Sequence, residues 1–177
     1  MKSIKKYETI INEALRSALE YDTPEGQINE FISFFGKHIG SDRIYIFEDD
    51  EEHHVTNNTY EWCAEGITPQ IEHLQGVNME VIDWWYDTFD EGKSVIISDV
   101  EELKGVHQVS YNMLKYQNVC KVVVSPLRHK GQIKGFLEHF GIEMLCGGGT
   151  LLQKGPSPTP TPPKTFICGA ICDGNPP

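Results

Sequence analysis

Apolar residues at Ile4, Tyr7, Ile11, Ala14, Leu15, Ala18 and Leu19 recur every three or four positions, which predicts an amphipathic first helix closing at Tyr21-Asp22. Thr23 followed by Pro24 has the form of an N-cap and first helical residue. It opens a second helix that buries Ile28, Phe31, Ile32, Phe35 and Ile39 and stops at Gly40. The period then shortens to that of strands. Arg43 to Glu48 reads as a first strand and Thr59 to Glu65 as its antiparallel partner, with Tyr60, Trp62 and Ala64 on one face. An irregular connection from Gly66 to Val77 follows. Asn78 predicts the cap of a helix carrying Val81, Ile82, Trp84, Trp85 and Phe89 and ended by Gly92. Ser94 to Ser98 is a short strand. Asp99 with Glu102 three residues on has the form of a capping box, and a further helix over Val106 to Tyr116 buries Val109, Met113 and Leu114.

The clearest pattern lies at Val119 to Leu137. Val122, Val123 and Val124 are a β-branched run suited to a strand buried on both faces. Pro126 marks its end or an irregularity. Arg128-His129-Lys130-Gly131 supplies a polar turn, and Ile133, Phe136 and Leu137 begin the return. This reads as the central hairpin of an antiparallel sheet.

That Val-Val-Val-Ser-Pro-Leu strand, Lys-Gly turn and Ile-x-Gly-Phe return resemble the late strands of a GAF domain, and the resemblance reaches back to about Thr23. It implies an α+β fold, a GAF-like antiparallel sheet of about five or six strands flanked by helices. The domain would span 23–140, after an N-terminal helix over 1–22. It further implies a sensory or regulatory module of a bacterial signalling protein, the input half of a longer protein whose output domain is not in this sequence. In such proteins the first helix often pairs with a second subunit, so a homodimer through that helix is expected. The ligand would sit between the sheet and the helical excursion. There Trp62, Trp84, Trp85, Phe89, Tyr111 and Met113 are candidate lining residues and Glu65, Asp99 and His107 candidate polar contacts. Trp84 and Trp85 lie about 100° apart around their helix, which predicts Trp85 in the core and Trp84 nearer the rim. The resemblance names no particular ligand or cofactor. The Cys-His pair of many bilin-attachment sites in related photoreceptors is absent, since Lys121 follows Cys120, and the Asn-Lys…Phe-x-x-x-Asp-Glu pattern of cyclic-nucleotide-binding relatives is absent as well.

Composition narrows the partners. The chain of 177 residues has 39% apolar content, enough for one sizeable core. With 26 acidic against 15 basic residues the net charge is -11, which argues against nucleic acid and against an anionic membrane surface. No apolar run approaches a membrane span and no signal-peptide core follows Met1, so a cytoplasmic location is expected. Five scattered cysteines, at 63, 120, 146, 168 and 172, make no disulfide framework and are expected to stay reduced. Cys168 and Cys172 lack a second pair for zinc. The acids and histidines of Asp49 to His54 sit on a hairpin whose neighbouring side chains point apart, so no metal site is expected.

No nucleophile elbow, phosphate loop or zinc-protease motif occurs, so the module is expected not to be an enzyme. Two alternatives remain. One is an enzyme like the free methionine sulfoxide reductases, which requires an attacking and a resolving thiol, here Cys63 and Cys120. The other is a dimerisation domain without a ligand. The GAF-like pattern fails after Leu137. Residues 141–177 hold Gly147-Gly148-Gly149 and a proline-rich run from Pro156 to Pro163, an irregular low-complexity tail. It reads as an insertion in the last strand pair or, preferably, as a tail foreign to the fold, with a proline-motif ligand as a third reading.

Overall fold

The computed structural model describes residues 2–141, and the expectations for the later tail fall outside them. Two helices, α1 (Lys2–Ala18) and α2 (Pro24–Ile39), lead into the hairpin β1 (Arg43–Asp50) and β2 (Val55–Cys63). The excursion contains a 3₁₀ turn (Ile71–His73), the short β3 (Val77–Asn78), a second 3₁₀ turn (Met79–Ile82) and α3 (Asp83–Asp90). Then come β4 (Val95–Ile97), a 3₁₀ turn (Val100–Leu103), α4 (Gln108–Tyr116), β5 (Val122–His129) and β6 (Gln132–Phe140). The strands form one antiparallel α+β sheet in the order β3-β2-β1-β6-β5-β4.

The second helix is delimited by its sequence signals. Thr23 Oγ1 accepts from the Gly26 amide at 3.1 Å, and Gly40 ends the helix in the left-handed region at φ 72°. At the last hairpin Lys130 and Gly131 both have positive φ, the two-residue turn whose twist suits antiparallel strands. β5 runs through Pro126 rather than ending there. Its partner β4 pairs only as far as Val124, so Pro126 lies where no edge neighbour needs a donor. β1 and β6, rather than β5 and β6, are the central pair of the sheet.

Each face of the sheet has its own core. On the outer face α2 covers Ile44 and Ile46 with Ile28, Phe31, Ile32, Phe35, Tyr60 and Trp62. On the inner face the excursion and α4 bury Tyr45, Phe47, Trp85, Phe89, Leu114, Val122, Val124 and Phe136. α1 packs on α2 through Ile10, Ala14 and Ala18, whereas Tyr7, Ile11 and Leu15 on its other side, and Leu19 just past its end, are exposed. The apolar stripe is thus wider than the contact it makes. Val109, expected in the core, is 48% exposed, because α4 starts at Gln108 and turns Ser110 and Leu114 inward instead. Cys63 is a free thiol but Cys120 is disulfide-bonded, so the expectation of fully reduced cysteines does not hold at Cys120.

Close approach dictates two glycines. A Cβ on Gly135, at φ 146°, would lie 1.9 Å from the Phe47 carbonyl oxygen, so β6 reaches β1 only with glycine there. A Cβ on Gly36 would lie 2.3 Å from the Trp62 ring, which seats that indole directly on α2. Gly36→Ala should therefore destabilise the protein by roughly 1–3 kcal/mol through overpacking, despite alanine's better helix propensity. Thermal unfolding should show a lowered midpoint that Trp62→Leu in the same chain partly restores. A midpoint raised by Gly36→Ala alone would contradict this packing.

Candidate functional site

A bulge in β2 decides which side chains face inward. Ile46 pairs with Tyr60 but Phe47 pairs with Asn58, leaving Thr59 as the extra residue. Its hydroxyl donates to the Ile46 carbonyl. Before the bulge Thr56 and Asn58 face inward; after it Glu61 and Cys63 do, while Tyr60 and Trp62 face α2. The inner face thereby gains polar residues on β2 beside Arg43, Tyr45 and Asp49 of β1.

Several of these groups are positioned by partners. Glu61 accepts from the amides of Gln70 (2.8 Å) and Ile71 (2.8 Å), which anchors the excursion over the sheet. Asp49 accepts from the Tyr86 hydroxyl at 2.7 Å, tying α3 to β1, and burial raises its carboxyl above the usual range. Arg43 Nη1 donates to the Gln117 carbonyl at 3.0 Å, and the Tyr45 hydroxyl donates to Gln117 Oε1 at 3.3 Å.

Others have none. Glu138, on β6 between Tyr45 and Val124, is 4% exposed and forms no hydrogen bond or ion pair among the described residues. Burial alone pushes its carboxyl up to about 8, so it is mostly protonated at neutral pH. Both amide atoms of Asn58, the Trp85 Nε1 and the Arg43 Nε are also buried without a partner. Such groups are costly to bury unpaired, on the order of 1–3 kcal/mol each, and here they gather on one face.

Glu138 and Trp85 line a narrow cavity with Phe47, Thr56, Met113, Leu114, Gln117 and Phe136. Its volume of about 10 Å³ holds about one water, so anything larger must part the excursion and α4 from the sheet. A roomier groove of about 500 Å³ opens on the other face, between Tyr7, Phe35, Ile39, Ile96, Val123 and His139. Its buried hydroxyl, Ser41, is already bonded to the Arg43 and Phe140 carbonyls. The inner cavity, with its unpaired groups, is the candidate site.

The residues singled out from sequence fall in five places. Met113 lines the cavity, and Phe89 is wholly buried in the inner core. Trp84, His107, Tyr111 and Asp99 lie around α3, α4 and the turn before it. Trp84 stacks on His107 at 4.2 Å and donates to Ser110 Oγ at 3.1 Å; Tyr111 donates to Glu101; Asp99 caps the 3₁₀ turn at the Glu101 amide. Trp85 is core and Trp84 only partly buried. Glu65 is exposed beyond the end of β2, and Trp62 is on the opposite face of the sheet. The pattern of the sequence does not single out Glu138, Asn58, Thr56 or Gln117. The signal available was a carboxylate in an otherwise apolar β6 pattern, Phe136 to Phe140.

No family model matches the sequence, and no curated protein matches it. Solved structures do. A far-red absorbing protein in its dark state with bound biliverdin superposes with a TM-score of 0.64 at 13% identity, covering 76% of this chain and 83% of that one. A phycocyanobilin-bound GAF domain from a cyanobacterial phytochrome gives 0.62 at 17%, covering 77% and 80%. The free methionine-R-sulfoxide reductase of Neisseria meningitidis, in complex with its substrate, gives 0.56 at 11%, covering 76% and 72%. At these identities the likeness is one of fold, and the fold is GAF-like. No helix among the described residues is long and apolar enough to cross a membrane.

The buried carboxyl has a pH signature. The unfolded chain loses the Glu138 proton near the ordinary carboxyl pKa, and the folded chain keeps it to about 8. Between these values the native state binds more protons, so stability falls as pH rises. Melting temperature should decline from roughly pH 5 to pH 8, and Glu138→Gln should flatten that decline. An unchanged pH slope in the variant would place the ionised carboxylate in contact with solvent.

Proposed function

We propose that this chain is a sensory or regulatory GAF-like module that binds a small molecule in the inner cavity. The observation that carries this reading is the two unpaired buried polar groups at one cavity, Glu138 and Trp85 Nε1, with the unpaired Asn58 amide on the same face of the sheet. A ligand that supplies their hydrogen bonds stabilises the state that admits it, and that differential affinity is what a sensor requires. The bilins bound by two of the structural neighbours far exceed the space present, so bilin binding is not carried over. A screen of small metabolites by thermal shift and tryptophan fluorescence should find compounds that raise the melting temperature and perturb the Trp85 emission. Met113→Trp, which fills the cavity, should abolish both responses. A stable, unresponsive wild type across the screen would favour a dimerisation domain without a ligand.

Thiol chemistry is poorly supported. Cys63 is a half-buried thiol pushed up to about 12 by burial and by Glu61, so little thiolate forms at neutral pH. Cys63 is aligned across β1 and β6 with Val122, near Cys120, three strand spacings or roughly 14 Å away. That exceeds the reach of a disulfide. These facts favour a non-enzymatic module over the reductase alternative.

The exposed stripe of Tyr7, Ile11, Leu15 and Leu19 supports pairing of α1 with that of a second copy. Residues four apart form a continuous ridge that can interdigitate with its symmetry mate. Sedimentation should give a dimer that Ile11→Glu with Leu15→Glu converts to a folded monomer. A wild-type monomer, or a dimer indifferent to both changes, would remove α1 from the interface.

A further inference from the structure

The hydrogen-bonding needs of the inner face specify a ligand more narrowly than its volume does. Unpaired acceptors call for a donor: Glu138 and Asn58 Oδ1. Unpaired donors call for an acceptor: Trp85 Nε1 beside the cavity, and Asn58 Nδ2 and Arg43 Nε further along the same face. Between them the walls are aromatic and aliphatic, with Phe47, Phe136 and Leu114.

Charge selects among donors. The titratable groups on the inner side of β1 are Arg43, Tyr45 and Asp49; β2 offers Glu61 and Cys63, and α3 offers Tyr86. β5 presents Val122 and Val124, and α4 presents Met113, Leu114 and then the uncharged Gln117. Arg43 is the one cation in this set; its Nη1 donates to the Gln117 carbonyl and its Nε is buried without a partner, but it does not line the cavity, whose one titratable lining residue is Glu138. Three carboxyl groups, Asp49, Glu61 and Glu138, face the same side. An anionic ligand would meet them unfavourably. A neutral donor would leave Glu138 protonated and gain an ordinary hydrogen bond. A cation would let it ionise and form the stronger charge-assisted contact.

We infer that this site, with the excursion and α4 parted from the sheet to make room, takes a small organic cation, its ammonium or amidinium seated on Glu138, its apolar body among Phe47, Phe136 and Leu114, and an acceptor on that body meeting Trp85 Nε1. The inference rests on the ligand-binding reading of this cavity. Seating the cation converts the carboxyl to carboxylate, and the released proton passes to the buffer. The ligand itself keeps all of its protons.

Tyramine and tyrosol, which differ by an ammonium in place of a hydroxyl, separate the cases. Calorimetric titration of the full chain near neutral pH, in buffers of different ionisation enthalpy, measures affinity and proton release together. Tyramine should bind at least about tenfold more tightly than tyrosol and release close to one proton. Glu138→Gln should erase both the preference and the release. If that variant does not fold, the wild type still decides: its tyramine affinity should rise with pH up to the carboxyl's titration, whereas tyrosol affinity should not. Equal binding of the two compounds, or tyramine binding without proton release, overturns the inference and leaves the cavity reading intact. Binding of neither overturns it too, and the wider metabolite screen then decides the cavity reading separately.

Discussion

The pairing of β1 with β6 at the centre of the sheet is the constraint on which the rest depends. These strands are distant in sequence, and everything between Asp50 and Gln132 is a loop closed by their contact. The closure is held by the Phe47–Phe136 stack, with centroids 4.8 Å apart, and it requires the bare backbone of Gly135 against the Phe47 carbonyl. A strand with neighbours on both edges and helices on both faces has no route to solvent for its side chains. Glu138 sits on such a strand, so its carboxyl is buried by topology rather than by any local preference.

The two faces of the sheet are covered in different ways. On the outer face α2 makes a conventional apolar contact, tight enough that Trp62 needs a glycine beneath it. On the inner face the cover is discontinuous. It consists of three 3₁₀ turns, a two-residue strand and two helices of eight and nine residues, pinned by side chains such as Glu61 and Asp49. Short elements held by a few polar contacts open at lower free energy than continuous sheet. The side with unpaired polar groups is therefore also the side able to admit something that pairs them.

The Trp84–His107 stack and the Trp84–Ser110 hydrogen bond join α3 to α4 at the outer rim of that cover. Ser110 also donates to the Val81 carbonyl, linking α4 to the turn before α3. Movement at the cavity would consequently shift the two helices together. The aromatic and polar cluster at the rim thus joins the parts of the cover to one another.

The sequence by itself determined the order of elements and most of their boundaries, because caps, turns and period act locally. Thr23, Gly40, Asn78, Asp99 and the Lys130-Gly131 turn are each legible from a few neighbouring residues. It could not determine which face of a strand would meet which layer. Alternation fixes only that Tyr60 and Trp62 share a face, and nothing local says whether that face meets α2 or the cavity. The bulge at Thr59 then shifts the parity of β2, moving Thr56 and Asn58 inward against any uninterrupted alternation. Only tertiary structure places Glu138 between two strands, Asn58 under the excursion and Trp85 Nε1 in a dry core. A side chain's hydrogen-bonding state depends on groups brought together from distant parts of the chain, and no periodicity in the sequence records that.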